Sequence, residues 1–119
     1  MSTKIFLLVL GCLTIVQAAK SSVYDSSRVA PSSLGAGVNS QFDDLKPIIA
    51  PDGATLYFCR KDSPDNIGGG GEDIWVSVRK SDGTWGDAVN IGTTLNNRGN
   101  NSVCSITPDG NTMLLVDSY

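Results

Sequence analysis

From residue 34 onward, short apolar runs alternate with turn residues, and this pattern predicts β-strands. The first run ends at Pro51-Asp52-Gly53, and the second begins two residues later, which predicts a hairpin. Proline presets φ for such a turn, aspartate bonds its own backbone, and glycine accepts a positive φ. The four predicted strands of this unit are residues 46–50, 55–60, 73–79 and 84–91.

The strand pattern recurs after a shift of 57 residues. Residues 49–56 then align without a gap with residues 106–113, and a second turn, Pro108-Asp109-Gly110, falls on the first. Seven of the 25 positions from Leu34 to Phe58 are identical to their partners. A repeat of this length is typical of an array of supersecondary units.

The apolar runs of each unit predict the fold class. Residues 56–59 and 113–116 are apolar without alternation, which is typical of strands buried on both faces. We therefore expect an all-β chain of four-stranded antiparallel blades, as in a β-propeller. The expected divisions are a flexible leader at 19–33, a first repeat at 34–90 and a truncated second repeat at 91–119.

The sequence resembles the WD40-like β-propeller repeats of bacterial envelope proteins, which are built around a Pro-Asp-Gly turn. The matching segments are residues 39–40, 43–53, 55–58, 71–77, 83–85 and 89–92. The resemblance implies inner strands that end at the turn, and a role as a binding scaffold. Such repeats occur in the periplasmic Tol-system propeller, beside peptidoglycan-binding domains and as gating propellers on some peptidases.

A closed propeller has four to eight blades, whereas this chain holds one complete unit and half of the next. We therefore expect about one and a half blades of an incomplete β-propeller. Either the chain is a fragment of a longer protein, which we favour, or several chains combine.

Residues 1–18 have the plan of a secretory signal peptide, with Lys4, a short apolar run and a cleavage site after Ala18. The run is too short for a transmembrane span. The segment before Cys12 also resembles a lipoprotein box, so a lipid anchor at Cys12 is the alternative. We expect an exported protein, periplasmic or secreted, with Cys59 and Cys104 in an oxidising compartment.

Composition excludes several classes of function. Nine basic and twelve acidic residues give a net charge of −3, without the basic surface that nucleic acid requires. The chain has no histidine, which rules out a Ser-His-Asp triad, a Cys-His pair and a His-ligated zinc site. We expect no catalytic residues, cofactor or metal within it.

The candidate binding residues precede the inner strands. Asp43 and Asp44 lie before the first inner strand, and Asn100 and Asn101 take the same places in the second repeat. In a propeller these positions lie at one mouth of the central channel, where they would contact a partner or a cation. The alternative is turn chemistry, since both residue types favour turns. Catalysis by the aspartates is disfavoured because adjacent strand residues point to opposite faces.

Four other residues and one loop have structural interpretations. We expect Trp75 and Trp85 in the core, and Cys59 and Cys104 as buried thiols, with a disulfide between them left open. The glycine-rich segment 62–72 is expected to be a flexible excursion.

The resulting prediction is an exported, non-enzymatic propeller module that binds a protein or a cell-envelope component. One alternative is that these are the N-terminal blades of an exported hydrolase, a peptidase or glycosidase, whose catalytic domain lies beyond residue 119. Another is a structural unit assembled from several identical chains.

Overall fold

The computed structural model describes residues 30–116, and this part of the chain is all-β, as predicted. The first four strands form an antiparallel sheet in the order β1-β2-β3-β4, and the last two form a second sheet. Neither sheet closes on itself. The strands are β1 (Asp43–Ile49), β2 (Thr55–Lys61), β3 (Glu72–Val78), β4 (Val89–Asn90), β5 (Ser102–Ile106) and β6 (Met113–Val116). The predicted signal peptide with Cys12, residues 19–29 of the leader and residues 117–119 of the second repeat lie outside the described residues.

The two Pro-Asp-Gly segments form matching hairpin turns. Gly53 has a φ of 67° and Gly110 a φ of 74°, so both glycines take the left-handed conformation that the sequence predicts. The N–H of Gly53 donates to the carbonyl of Ala50 at 2.9 Å, and that of Gly110 to the carbonyl of Thr107 at 2.8 Å. The same turn therefore closes both hairpins.

The two hairpins also share their register. Both have an irregularity within equivalent stretches, residues 45–48 of β1 and 102–105 of β5. In β1 the irregularity includes Lys46, which has a φ of 51°. The pairs Leu45–Cys59, Ile48–Tyr57 and Ile49–Leu56 correspond, after the shift of 57, to Ser102–Val116, Ser105–Leu114 and Ile106–Met113.

One face of the four-stranded sheet carries the apolar core. Trp75 is only 6% exposed, which confirms its predicted place in the core. Trp85 is partly buried and packs against the same cluster. The buried members of the cluster are Val38, Leu56, Phe58 and Trp75.

The opposite face of this sheet is covered by the β5–β6 hairpin, since β5 contacts β1, β2 and β3. Cys59 and Ile74 are buried there. The Cys59 thiol donates to the carbonyl of Asn101 at 3.4 Å. The N–H of Asn101 donates to the carbonyl of Glu72 at 2.6 Å. The middle strands of the first unit are therefore covered on both faces.

The fourth strand is shorter than the sequence predicts. Of residues 84–91, only Val89–Asn90 form a strand, and an isolated bridge joins Trp85 to Arg79. The N–H of Ala88 donates to the carbonyl of Gly37 at 2.7 Å instead of to a residue of β3. The segment therefore leaves the sheet to meet the chain that precedes β1.

β6 differs from the prediction that both of its faces are buried. Leu114 is 60% exposed and Val116 is 54% exposed, while Met113 and Leu115 are half-buried. The strand is an edge strand, because its only partner in the described part of the chain is β5. One face of β6 therefore lies open to solvent.

The glycine-rich segment is held by hydrogen bonds, although the sequence predicts a flexible excursion. The buried Asn66 amide donates to the carbonyls of Arg60, at 2.8 Å, and Gly71, at 2.9 Å. Its oxygen accepts from the indole N–H of Trp75 at 3.0 Å. A single side chain thus links this loop to the sheet and the core.

Candidate functional site

The predicted site residues gather at one end of the four-stranded sheet. Asp43 pairs with Lys61 across β1 and β2, and Lys61 pairs with Glu72 across β2 and β3. The backbone of Asn101 is hydrogen-bonded to Glu72. We call this end, with Asp43, Lys61, Glu72, Asn100 and Asn101, the entry end.

Asp44 is committed to contacts within the chain. Its Oδ1 accepts from Arg60 Nε at 2.7 Å, and both side chains are nearly buried. Its Oδ2 accepts from the N–H of Ser40 at 2.7 Å and from the Ser40 hydroxyl at 2.9 Å. Because both carboxylate oxygens are occupied, Asp44 closes a turn rather than facing a partner.

Arg60 connects this ion pair to the core. Its Nη2 donates to the carbonyl of Val38 at 2.8 Å. The guanidinium carbon lies 4.3 Å from the centre of the Trp75 ring and 5.4 Å from that of Phe58, so the cation stacks on aromatic faces. The sequence alone predicts no role for Arg60. The one feature of the sequence that could have indicated a buried role for Arg60 is its position directly after the apolar residues 56–59 of β2.

Asn101 performs the turn role of Asp44 in the second repeat. Its Oδ1 accepts from the N–H of Asn97 at 2.9 Å, just as Asp44 accepts from the N–H of Ser40. The Asn101 side chain is fully buried. For Asp44 and Asn101, the geometry thus favours the turn alternative over direct contact with a partner.

Asp43 and Asn100 occupy the other two candidate positions and are exposed. The Asn100 Oδ1 accepts from the N–H of Glu72 at 3.1 Å, while the Glu72 carboxylate is paired with Lys46. Lys61 beside Asp43 is exposed as well. The accessible polar side chains of the entry end are therefore Asp43, Lys61 and Asn100.

A buried carboxylate, which the sequence pattern does not predict, lies between the glycine-rich segment and β4. Asp73 is fully buried, and its Oδ2 accepts from the N–H of Ile67 and from Asn90 Nδ2, both at 2.7 Å. Among the buried side-chain nitrogen and oxygen atoms in the described part of the chain, its Oδ1 is the one without a hydrogen-bond partner. These contacts hold the loop and β4 against β3.

The two described cysteines are free and differ in environment. Cys59 is buried, and desolvation raises the pKa of its thiol to about 11. Cys104 is exposed, which contradicts the prediction that both thiols are buried. The reason is that Cys104 lies at the irregularity between Val103 and Ser105, where it has no paired residue on β6.

Two open concavities lie on the surface of the described residues. The smaller, of about 110 Å³, lies beside the segment that precedes β1, and the larger, of about 320 Å³, lies between β1 and the β5–β6 hairpin. The smaller is lined by Leu34, Val38, Asn39, Asp44, Leu45, Pro47, Leu56 and Phe58. The larger is lined by Lys46, Pro47, Ile48, Ser102, Val103, Cys104 and Val116.

Within residues 30–116, no three cysteine, aspartate or glutamate side chains lie close enough together to hold a metal ion. The same residues contain no helix with the length and apolar character needed to cross a membrane. Comparison with known proteins found no matching family model, curated protein or solved structure.

Proposed function

We propose that this protein is an exported, non-enzymatic β-propeller repeat module that serves as a binding scaffold for a protein or a cell-envelope component. The observation that carries the proposal is the repeated hairpin. Two hairpins with the same turn and register stand 57 residues apart, and the second packs on the sheet that contains the first. Stacked repeats of this kind form rigid surfaces that bind partners.

The entry end is the proposed binding surface. Its exposed groups are a carboxylate, an ammonium and an amide, from Asp43, Lys61 and Asn100. Asp43 and Lys61 lie at strand ends beside the nearly buried Asp44–Arg60 pair. The Asn100 side chain is held by the N–H of Glu72. Polar groups fixed on a rigid scaffold suit a hydrated, polar partner surface. The proposal that the protein is exported is supported by residues 1–18, which have the sequence features of a signal peptide.

Site-specific photo-crosslinking in the native host tests this proposal. A photoreactive amino acid at Asp43 or Asn100 samples the entry end, and the same group at Asp52 or Asp109 samples the turns at the opposite ends of the hairpins. All four positions are exposed, so they form matched pairs. We expect one discrete adduct from the entry end and none from the turns.

Cell fractionation of the same cultures tests export. We expect the crosslinked protein in the periplasm or the medium, with its first residues removed. A folded protein that gives no adduct at the entry end, or equal adducts at both ends, would contradict the proposed binding surface. Retention of Met1 on cytoplasmic protein would contradict export.

A further inference from the structure

The glycine-rich segment of the first repeat contacts the second repeat at Asn100. A Cβ built at Gly71 would lie 3.0 Å from Asn100 Oδ1 and 3.2 Å from the carbonyl oxygen of Gly99, which is closer than side chains normally pack. The same Asn100 oxygen accepts from the N–H of Glu72 at 3.1 Å. Glycine at position 71 therefore leaves the space in which Asn100 reaches the backbone of the first repeat.

A second glycine of this segment lies against Arg98. A Cβ built at Gly68 would lie 3.0 Å from Cγ and 3.3 Å from Cβ of Arg98, so the aliphatic stem of the arginine packs directly on the glycine. Arg98 is exposed, and within residues 30–116 its guanidinium makes no hydrogen bond or ion pair. All five N–H donors of this guanidinium are therefore available to a partner.

The segment that makes these contacts is itself fixed to the first sheet. The carbonyl of Gly71 accepts from the N–H of Asp62 and from the amide of Asn66, both at 2.9 Å. The N–H of Ile67 donates to the buried carboxylate of Asp73 at 2.7 Å. Because the segment is fixed in this way, contact with it also fixes the position of residues 98–100 relative to β2 and β3.

The close contacts are confined to two of the four glycines. A Cβ built at Gly69 or Gly70 meets no atom within 4 Å. Gly69 has a φ of 77°, close to the values of 87° at Gly68 and 73° at Gly71. Gly69 therefore has the same backbone requirement as Gly68 and Gly71 but does not contact the second repeat, which makes it their matched control.

We propose that the glycine-rich segment is a positioning element of the partner-binding surface, in which Gly71 places Asn100 and Gly68 places Arg98. Arg98 thereby joins the exposed residues of the entry end as a further hydrogen-bond donor to the partner. The inference rests on the proposed function, because both side chains act at the surface proposed there. It assigns a role to a segment that the sequence predicts to be a flexible excursion.

Amide spectra of the isotope-labelled full chain test the positioning without a partner. Gly71→Ala should shift the signals of the Asn100 side-chain amide and the Glu72 backbone amide, because the added methyl group displaces Asn100 Oδ1 from the Glu72 N–H. Gly69→Ala adds the same methyl group into open space and should leave both signals in place. Shifts of equal size in the two variants would overturn the positioning role of Gly71.

Crosslinking in the native host tests the binding role. A photoreactive amino acid at Asp43 reports how much partner is bound. We expect the adduct yield to fall about fivefold in Asn100→Ala and in Arg98→Ala, which is the effect of losing one hydrogen bond. Arg79→Ala removes an exposed arginine beyond the opposite end of β3 and should leave the yield unchanged.

Double variants distinguish positioning from a general loss of stability. Gly71→Ala should lower the adduct yield in the wild-type chain but have no further effect in the Asn100→Ala chain, since it acts through Asn100. Gly68→Ala should behave in the same way toward Arg98→Ala. Losses that add in the double variants, or an adduct yield that Asn100→Ala and Arg98→Ala leave unchanged, would overturn the proposal.

Failure of this inference and failure of the proposed function give different results. A wild type without an adduct at Asp43 would contradict the proposed function and, with it, the binding role of Arg98 and Asn100. An adduct that is lost equally in Gly69→Ala and Gly71→Ala would contradict only the positioning role. Circular dichroism melts show which variants are folded. Asn100→Ala and Arg98→Ala change exposed side chains, so they test the binding role even if a glycine variant does not fold.

Discussion

The side-chain amide of Asn96 brackets the backbone of Ile74, accepting from its N–H at 2.8 Å and donating to its carbonyl at 3.0 Å. Both residues are buried, so this contact satisfies two backbone groups that water does not reach. Asn96 belongs to the second repeat and Ile74 to the first. The side-chain amide of Asn96 therefore joins the start of the second repeat to β3 of the first repeat.

Replacement of Asn96 with alanine should destabilise the protein by about 1–3 kcal/mol, because it leaves the buried N–H of Ile74 without a partner. The carbonyl of Ile74 still accepts from the N–H of Ile91 at 3.2 Å. Asn39 is the matched control, since it has the same place in the first repeat but is exposed. Asn39→Ala should cost less than about 1 kcal/mol. Urea denaturation of both variants gives the comparison, and equal losses would show that Asn96 does not join the repeats.

Loss of Asp44 should be more damaging than loss of an exposed acid. Asp44→Ala leaves the nearly buried Arg60 without its partner, for an expected loss of about 3–5 kcal/mol. Asp43→Ala, at the neighbouring exposed position, should be nearly neutral for stability. Chemical denaturation tests both, and a neutral Asp44→Ala would mean that the ion pair does not stabilise the fold.

Replacing the glycine of either turn with a β-branched residue should destabilise the protein. Gly53→Val and Gly110→Val should each cost more than about 1 kcal/mol, because valine is strained at positive φ. No atom lies within 4 Å of a Cβ built at either position, so the expected cost comes from the backbone alone. Gly70 is the control: it has equal space but no positive φ, and Gly70→Val should be tolerated. Equal effects at Gly53 and Gly70 would contradict the turn assignment.

Trp75 should behave as a core residue. Trp75→Ala should destabilise by about 3–5 kcal/mol, as a large-to-small change in the core. Trp75→Phe keeps an aromatic face for Arg60 but loses the hydrogen bond to Asn66, and its loss should be smaller. Thermal melts measure both changes. An unchanged melting temperature for Trp75→Ala, with loss of partner binding, would identify a ligand platform instead.

The turn aspartates should make stability depend on acid pH. The Thr55 hydroxyl and the N–H groups of Ala54 and Thr55 hold the pKa of Asp52 below its ordinary value of 3.8, and Thr107 does the same for Asp109. A pKa lowered by folding stabilises the folded state above pH 3.8, and this contribution is lost as pH falls through the lower value.

The Asp52→Asn, Asp109→Asn double variant should therefore lose less stability on acidification below pH 3.8 than the wild type does. Melting temperatures from neutral to acid pH measure the difference. Parallel curves for the two proteins would show that these turns do not contribute to acid sensitivity.

The sequence predicted the elements whose determinants are local. Pro51-Asp52-Gly53 sets its own turn, and the apolar run with Trp75 marks a buried strand, so both could be identified from residue order alone. The roles of Arg60 and Asn66 depend on contacts with residues distant in sequence, and their residue types carry no local signal. The positive φ of Lys46 has no sequence signal either, because lysine is not favoured there.

At the candidate site, the shift of 57 correctly placed Asp44 and Asn101 in equivalent positions, and both make the same turn contact. The sequence could not distinguish Asp44 and Asn101 from the exposed Asp43 and Asn100. Each pair consists of two identical adjacent residues, and which of the two side chains is buried depends on how the strand pairs and packs. The role of Asp43 and Asn100 in partner binding stays a prediction.

The nuclear Overhauser spectrum of the full chain tests the central claim, that two equivalent hairpins pack as successive repeats, most directly. We expect cross-strand contacts for Ile49–Leu56 and for Ile106–Met113, together with contacts from Cys59 to Asn101 and Ser102. Different registers in the two hairpins, or a Cys59 side chain without contacts to β5, would contradict the account.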